Sequence, residues 1–273
     1  MPELPEVEIV KNFISQEILA KKITSVVVLN HRLRYSVPEE IGLIEGGRVL
    51  KLERRAKFIQ IFLDNSQVVI IHLGMSGSLL IHRANYEPQK HDHVLFFLDA
   101  NTVLVYNDPR RFGFIDCLEV DKIGEYKLFQ KLGIEPLSDE LNLSVLQLML
   151  NNSKLGMKSF LMSNEIIVGI GNIYANEILF ATRIHPLTMA ADICQERVQK
   201  LLHNIKQVLL SAINLGGSSI QNFVSPYGDK GRFSNSFKVY GRSNAPCDIC
   251  SGMIEKIIIQ QRSSFFCPLC QIR

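Results

Sequence analysis
The chain has 273 residues, 47% of them hydrophobic and 21% charged, so it holds enough apolar material for a sizeable core and is not a disordered segment. Thirty basic and 27 acidic residues leave a net charge of +3, too small for the overall field to argue for a polyanionic partner. No stretch approaches the ~18 uninterrupted apolar residues of a membrane-spanning helix, and the opening lacks the positive charge and apolar run of a signal peptide; the expected location is the cytoplasm.

Length suggests two domains, at about 100–200 residues each. The chain opens MPELPEVE, with two prolines and three carboxylates. Behind it Val7, Val10, Phe13, Ile14 and Ile18 recur at intervals of three and four, which makes one apolar helical face. Pro5 suits the first helical turn, and Glu3 and Glu6 flank the positive end of the helix dipole. From about residue 24 to 120 the pattern changes to short β-branched and aromatic runs: ITSVVVL, KFIQIFL, QVVIIHL, HVLFFLD and TVLVYND. Such a series predicts a sandwich or barrel. After a break at GIEPLS (133–138), LSVLQLML, KSFLMSN, NIYANEILFATRI and ERVQKLLHNIKQVLLSAINL read as helices. Residues 216–237 are rich in Gly, Ser and Asn and read as loop with one short helix at most.

Four of the six cysteines stand as Cys247-x2-Cys250-x16-Cys267-x2-Cys270. Two such pairs at this separation predict one tetrahedral zinc site. A redox motif needs only one pair, and disulfides are disfavoured without a secretion signal. Four protein ligands leave no open position, so the ion is expected to be structural. Between the pairs, MIEKIIIQQRSSFF predicts a β-hairpin with its turn at Gln261–Ser264 and Arg262 at or near the tip. Cys117 and Cys194 lie in apolar sequence and are expected to be buried small hydrophobes. Segment 238–273 carries five basic and two acidic residues, the formal excess of the whole chain.

Some short stretches admit two readings. Arg54-Arg55-Ala56-Lys57 precedes a strand. NDPRRFGF (107–114) combines phosphate-binding forks with a flat apolar side chain in one turn, and HLGMSG (72–77) sets Met75 on another. They suit a protein that kinks DNA and fills the gap left by a displaced base; they also suit plain hairpin loops capped by a buried Met or Phe. Gly169-x-Gly171 ahead of a helix at Asn172, and GGSSIQNF (216–223), are weak phosphate-binding candidates.

PELPEVE, HLGMSG, KHDHV (90–94), DPRRFG, GIGNIYANE, VYGR (239–242) and the four-cysteine module with QRSSFFCPLCQ lie together in one chain. In this combination the sequence closely resembles bacterial formamidopyrimidine-DNA glycosylases over essentially its whole length. PELPEVE favours this branch over the related endonuclease VIII branch. The resemblance implies an α+β multidomain protein: an N-terminal β-sandwich with flanking helices (1–133), a helix–two-turn–helix domain with the lesion loop (134–237) and a zinc-finger hairpin (238–273). It implies damaged double-stranded DNA as partner, running across the cleft between domains. It also implies one structural Zn2+, a monomer, and a bacterial cytoplasmic location associated with the nucleoid through DNA.

The resemblance also assigns roles. Pro2, exposed as a secondary amine after loss of Met1, would be the nucleophile, Glu3 its proton-transfer partner, and Glu6 a support for the terminus. Lys57 would bind phosphate beside the lesion and assist elimination. Met75, Arg110 and Phe112 would fill the vacated space, with Arg110 facing the orphaned base. His91, Arg111, Lys154, Asn172, Tyr240 and Arg262 would be further DNA contacts. Ile9 and Asn12 depart from the Thr and basic residue common in the family's first helix. The stretch 151–154 has fewer lysines than in many members, and loop 225–233 is of a variable kind. These departures touch substrate preference. Two alternatives stand beside the main reading: a related glycosylase for oxidised pyrimidines, and a DNA-binding protein without catalysis.

Overall fold
The computed structural model describes residues 2–83, 85–218 and 232–273. They fall into two compact units: 2–130 with 216–218, and 131–215 with 232–273.

The first unit begins with α1 (Leu4–Ile18), whose Pro5 lies in its first turn as the sequence predicts. Its apolar stripe is wider than the five residues read from the spacing, because Leu4 and Ile9 are buried too. Eight strands follow: β1 (Ile23–Val28), β2 (Val49–Arg55), β3 (Phe58–Leu63), β4 (Gln67–His72), β5 (Ser78–Arg83), β6 (Asp92–Leu98), β7 (Thr102–Asn107) and β8 (Phe114–Glu119). They form two antiparallel four-stranded sheets, in the orders β1-β6-β7-β5 and β2-β3-β4-β8. One core contains Val10 and Ile14 of α1, Ile61 and Ile71 of the second sheet, and Phe96 and Leu104 of the first. A sandwich buries the inner face of each sheet in this way.

The sequence reading passed over β2, β5 and β8. Each is polar or of mixed pattern, and β2 ends in Arg54-Arg55, which read as a basic approach to a strand. Arg54 instead turns inward and pairs with Glu8 of α1 at 2.7 Å.

The second unit holds α2 (Leu143–Asn151), α3 (Met157–Leu161), α4 (Asn172–Ala181) and α5 (Gln195–Asn214). α4 is buried nearly all round; Tyr174, Ala175 and Ile178 are sealed against Leu201, Ile205 and Leu209 of α5. The last element is the hairpin β9 (Glu255–Ile259) and β10 (Arg262–Phe266). Val239, Ile254 and Phe265 pack it on Phe180, the penultimate residue of α4.

Two expectations are corrected here. The hairpin turns at Gln260-Gln261, both at positive φ (47° and 60°), so Ser263 and Ser264 are strand residues. Serine is a common turn residue and glutamine is not, which misplaced the turn. Arg262 is exposed and opens the return strand opposite Ile259. Cys194 is exposed, whereas Cys117 is buried. Its apolar neighbours Ile193 and Val198 turn inward, while Cys194 caps α5. Of the predicted loop 216–237, residues 219–231 lie outside the described residues; Phe233–Ser236 forms a 3-10 turn.

Candidate nucleic-acid and catalytic site
Residues 2–6 are packed into the fold. Pro2 is buried, and Glu3 and Glu6 are only 3% and 2% exposed. Glu3 caps α1 in a capping box: its side chain accepts from the third helical N–H, while its own N–H donates to Glu6 Oε2 at 2.9 Å. The other Glu6 oxygen accepts the Ser218 N–H at 2.8 Å and the Ser218 hydroxyl at 2.7 Å. One buried carboxylate thus ties the amino terminus to residue 218.

Lys57 sits with Ala56 in the two-residue turn between β2 and β3, where Ala56 takes φ +52°. It is 9% exposed. His72, at the end of β4, lies close enough for the Lys57 charge to act on it. Burial above all, then the Lys57 and Arg34 charges, pushes the imidazole down to about 4, with Asp108 opposing. The ring is therefore neutral at pH 7. Nδ1 accepts from the Gly74 N–H at 3.0 Å, so the proton resides on Nε2. The ring stacks on Phe114, with centroids 5.5 Å apart.

Met75 and Phe112 are 41% and 43% exposed, against the burial expected of hairpin-loop hydrophobes. The Arg110 guanidinium lies 4.8 Å over the Phe112 ring. Their two loops touch backbone to backbone. A Cβ on Gly74, at φ +60°, would collide with Phe112 and Gly113; one on Gly113 would collide with the Tyr106 hydroxyl and the His72 carbonyl. Only glycine allows this approach. His91 takes φ +78° ahead of β6. With Arg111, Asn30 and Pro109 it lines a concavity of about 330 Å³.

In the second unit three candidate residues gather at β10. The Asn172 amide and the buried Lys158 ammonium both donate to the Ser263 carbonyl, each at 3.0 Å, next to Arg262. Tyr240 packs edge-on against Phe265 at 5.4 Å. Glu177 of α4 holds the preceding segment: its carboxylate accepts the N–H groups of Lys238, Val239 and Tyr240 at 2.9–3.1 Å. Burial raises the Glu177 pKa against these bonds. Lys154 stands apart, exposed between α2 and α3.

The Sγ atoms of Cys247, Cys250, Cys267 and Cys270 all lie within 4.8 Å of one another. Cys247–Cys270 and Cys250–Cys267 are 3.9 and 3.4 Å apart. A zinc ion bound at about 2.3 Å by four thiolates has S···S edges of about 3.8 Å. The donor set therefore fits one structural zinc ion. Closing it joins the knuckle 247–250 to the strand end at 267–270.

Sequence reasoning missed His72, Asp108, Lys158, Glu177 and Ser218. His72 and Asp108 stood inside the quoted HLGMSG and NDPRRFGF stretches, Glu177 inside GIGNIYANE and Ser218 inside GGSSIQNF. Residue type does not mark them: Lys158, Glu177 and Ser218 meet partners 105, 61 and 212 residues away, and His72 and Asp108 chiefly accept backbone N–H groups of their own loops.

The chain matches the family models "Formamidopyrimidine-DNA glycosylase N-terminal domain" over residues 1–115, "Formamidopyrimidine-DNA glycosylase H2TH domain" over 132–224, and "Zinc finger found in FPG and IleRS" over 245–272. It is 46% identical over 272 residues to the formamidopyrimidine-DNA glycosylase of Wolbachia pipientis subsp. Culex pipiens, covering 99% of this chain and all of that one. Its fold is similar to that of a Lactococcus lactis FPG mutant solved with Fapy-dG DNA, at TM-score 0.91 and 30% identity with both chains fully covered. It is also similar to the Lactococcus lactis Fpg solved with abasic-site DNA, at TM-score 0.90 and 31% identity over 99% of this chain and all of that one. With full-length relatives at this identity, and the buried terminus, paired loops and four-cysteine cluster in place, the chain belongs to the formamidopyrimidine-DNA glycosylase family.

Proposed function
We propose that this chain excises oxidised purines, 8-oxoguanine and formamidopyrimidines, from duplex DNA. It then cuts the abasic strand by β,δ-elimination through a Schiff base on Pro2. The observation that carries this reading is the buried Pro2–Glu3 pair, with Glu3 held by Glu6 through the capping box and Glu6 in turn by Ser218.

Attack on the sugar C1′ needs an unprotonated amine. An α-amino group titrates at about 7.7–8.0, well below the ~10.4 of lysine. A proline amine is somewhat more basic, and nearby cations lower it. Displacing the base leaves a covalent adduct, and because proline is a secondary amine that adduct is a charged iminium. The charge acidifies C2′, so elimination follows excision. Glu3, adjacent in the chain, protonates the sugar ring oxygen and then carries protons during elimination. Glu6 keeps both in register.

The lesion must leave the stack first, at a cost of a few kcal/mol. Met75, Phe112 and Arg110 offset that cost by occupying the vacated space. Lys57, His91, Arg111, Lys154, Asn172, Tyr240 and Arg262 bind the strand and supply affinity without lesion specificity. Zinc, when bound, contributes only the cross-link of the finger that presents Arg262. The reading includes a monomer acting on DNA in the cytoplasm; no helix among the described residues is long and apolar enough to cross a membrane.

Borohydride reduction of protein mixed with 8-oxoguanine duplex should trap a covalent complex, and Pro2→Gly should abolish it. Equal trapping by that variant would overturn the proline mechanism. Release of oxidised pyrimidines in preference to 8-oxoguanine would move the substrate to the sister branch. Protein retaining Met1 should bind and not cut.

A further inference from the structure
Asp108 opens the turn that carries Arg110 and Phe112, and it is 0% exposed. Its carboxylate is a junction between two loops distant in sequence. Oδ1 accepts the Ser76 hydroxyl at 2.5 Å and the Arg110 N–H at 3.3 Å. Oδ2 accepts the Gly113 N–H at 2.9 Å and faces the Tyr106 hydroxyl at 3.4 Å. The Arg110 N–H also reaches the Ser76 oxygen at 3.1 Å, which closes a ring across the two loops. The Asp108 carbonyl in turn accepts from the Arg111 N–H at 3.2 Å and meets His93 Nε2 at 2.8 Å. The surrounding groups leave Asp108 little freedom. Burial and the Asp108 charge raise the Tyr106 pKa, so the phenol keeps its proton. The bonds to the Asp108 carboxylate all come from donors: a hydroxyl, a phenol and two amides.

We infer that Asp108 is a positioning residue that locks the Met75 loop to the Arg110–Phe112 loop, so that the two enter the duplex as one rigid wedge. The inference rests on the reading that Met75, Arg110 and Phe112 occupy the space of the flipped nucleotide. Ser76 and Gly113 each neighbour a wedge residue in the chain, and both are fastened to the one carboxylate. Wedge side chains fixed relative to one another meet the helix without first ordering two mobile loops. The ordering entropy is spent during folding instead. The lock also fixes the backbone of Arg110, the residue that faces the orphaned base. Asp108 therefore acts on base-pair opening and on discrimination of the opposite base, while the chemistry at Pro2 proceeds without it.

The test uses the full-length zinc-bound protein. Asp108→Asn keeps the shape but turns an NH2 toward donors. Ser76→Ala removes one strut at small cost to the fold, so it carries the test if Asp108→Asn fails to fold. Three quantities are read: single-turnover excision from duplex, the ratio of excision opposite two different bases, and borohydride trapping on a single-stranded abasic oligonucleotide. The last has no orphaned base and no gap to fill. Where the loss of the lock falls on base-pair opening, the penalty of one unpaired buried donor corresponds to about 10-fold or more in rate. Duplex excision by Asp108→Asn should fall by at least that factor, with a smaller loss for Ser76→Ala. The opposite-base ratio should move toward one in both, and single-stranded trapping should stay at the wild-type level. Unchanged duplex excision and ratio in both variants would overturn the lock. Equal loss of single-stranded trapping would overturn it too, by showing that Asp108 supports the fold at large. Met75→Ala and Phe112→Ala, run alongside, separate the premises: wild-type duplex excision by both would remove the wedge reading itself.

Discussion

Acid should destabilise the sandwich through His72. Its ring is stacked on Phe114 beside Phe58, and burial, reinforced by Lys57 and Arg34, holds it at about 4 against an ordinary 6.5. In the unfolded chain the imidazole charges normally. Between pH 6.5 and about 4 the unfolded state therefore binds more protons, so stability falls as pH falls through that window and is flat above it for this group. At about 1.4 kcal/mol for each step of one in pH, the loss reaches about 3 kcal/mol by pH 4. The reference protein is His72→Phe, which keeps an aromatic ring against Phe114 and cannot titrate. It gives up the acceptor for the Gly74 N–H, a cost of about 1–3 kcal/mol that does not vary with pH. Urea unfolding of both proteins from pH 7.5 to 4, followed by tyrosine fluorescence, yields the difference. Subtraction cancels the carboxylates and the cysteines that both share. The wild type should lose about 3 kcal/mol relative to the variant between pH 6.5 and 4. Parallel curves down to pH 4 would refute the reasoning.

Gly113→Ala should lower stability by about 1–3 kcal/mol, seen in the denaturant midpoint, because its Cβ meets the Tyr106 hydroxyl and the His72 carbonyl. Glu177→Gln should weaken binding to an abasic-analogue duplex about 10-fold, since an amide turned toward three N–H groups releases Lys238–Tyr240; titration by anisotropy checks it. Chelating the zinc, or Arg262→Ala, should abolish DNA binding and leave the unfolding curve of the sandwich in place. Loss of the sandwich on chelation would contradict that.

Local chemistry made much of this molecule readable in advance. α1 was legible because Pro5 and the period of its apolar residues agree, and the finger because four cysteines at fixed spacing admit few arrangements. Five strands stood out where β-branched residues run together. β2, β5 and β8 did not, because Lys51, Glu53, His82, Arg83 and Asp116 interrupt their apolar residues. The order of strands in each sheet is a matter of long-range pairing that no window of sequence displays. The same limit governs the site. Pro2, Glu3, Met75, Arg110 and Phe112 drew notice through the motifs in which they stand and the family those motifs resemble. Asp108, Glu177 and Ser218 act through partners 32, 61 and 212 residues away, and on their own they look like ordinary turn or helix residues. Arg262 was located only to within the turn, since side-chain identity did not distinguish Gln260-Gln261 from Ser263-Ser264.

The clasp between Glu6 and Ser218 has a meaning for biosynthesis. Glu6 leaves the ribosome long before its partner, because Ser218 is made 212 residues later. Until then the carboxylate lacks the two donors that Ser218 gives it. The first turn of α1 is therefore tied to the rest of its unit only late in synthesis, after all eight strands of the sandwich have been made. A chain truncated before residue 218 should still form α1 but hold its first residues loosely. Amide hydrogen exchange at Glu3 would then be fast where the complete protein's is slow.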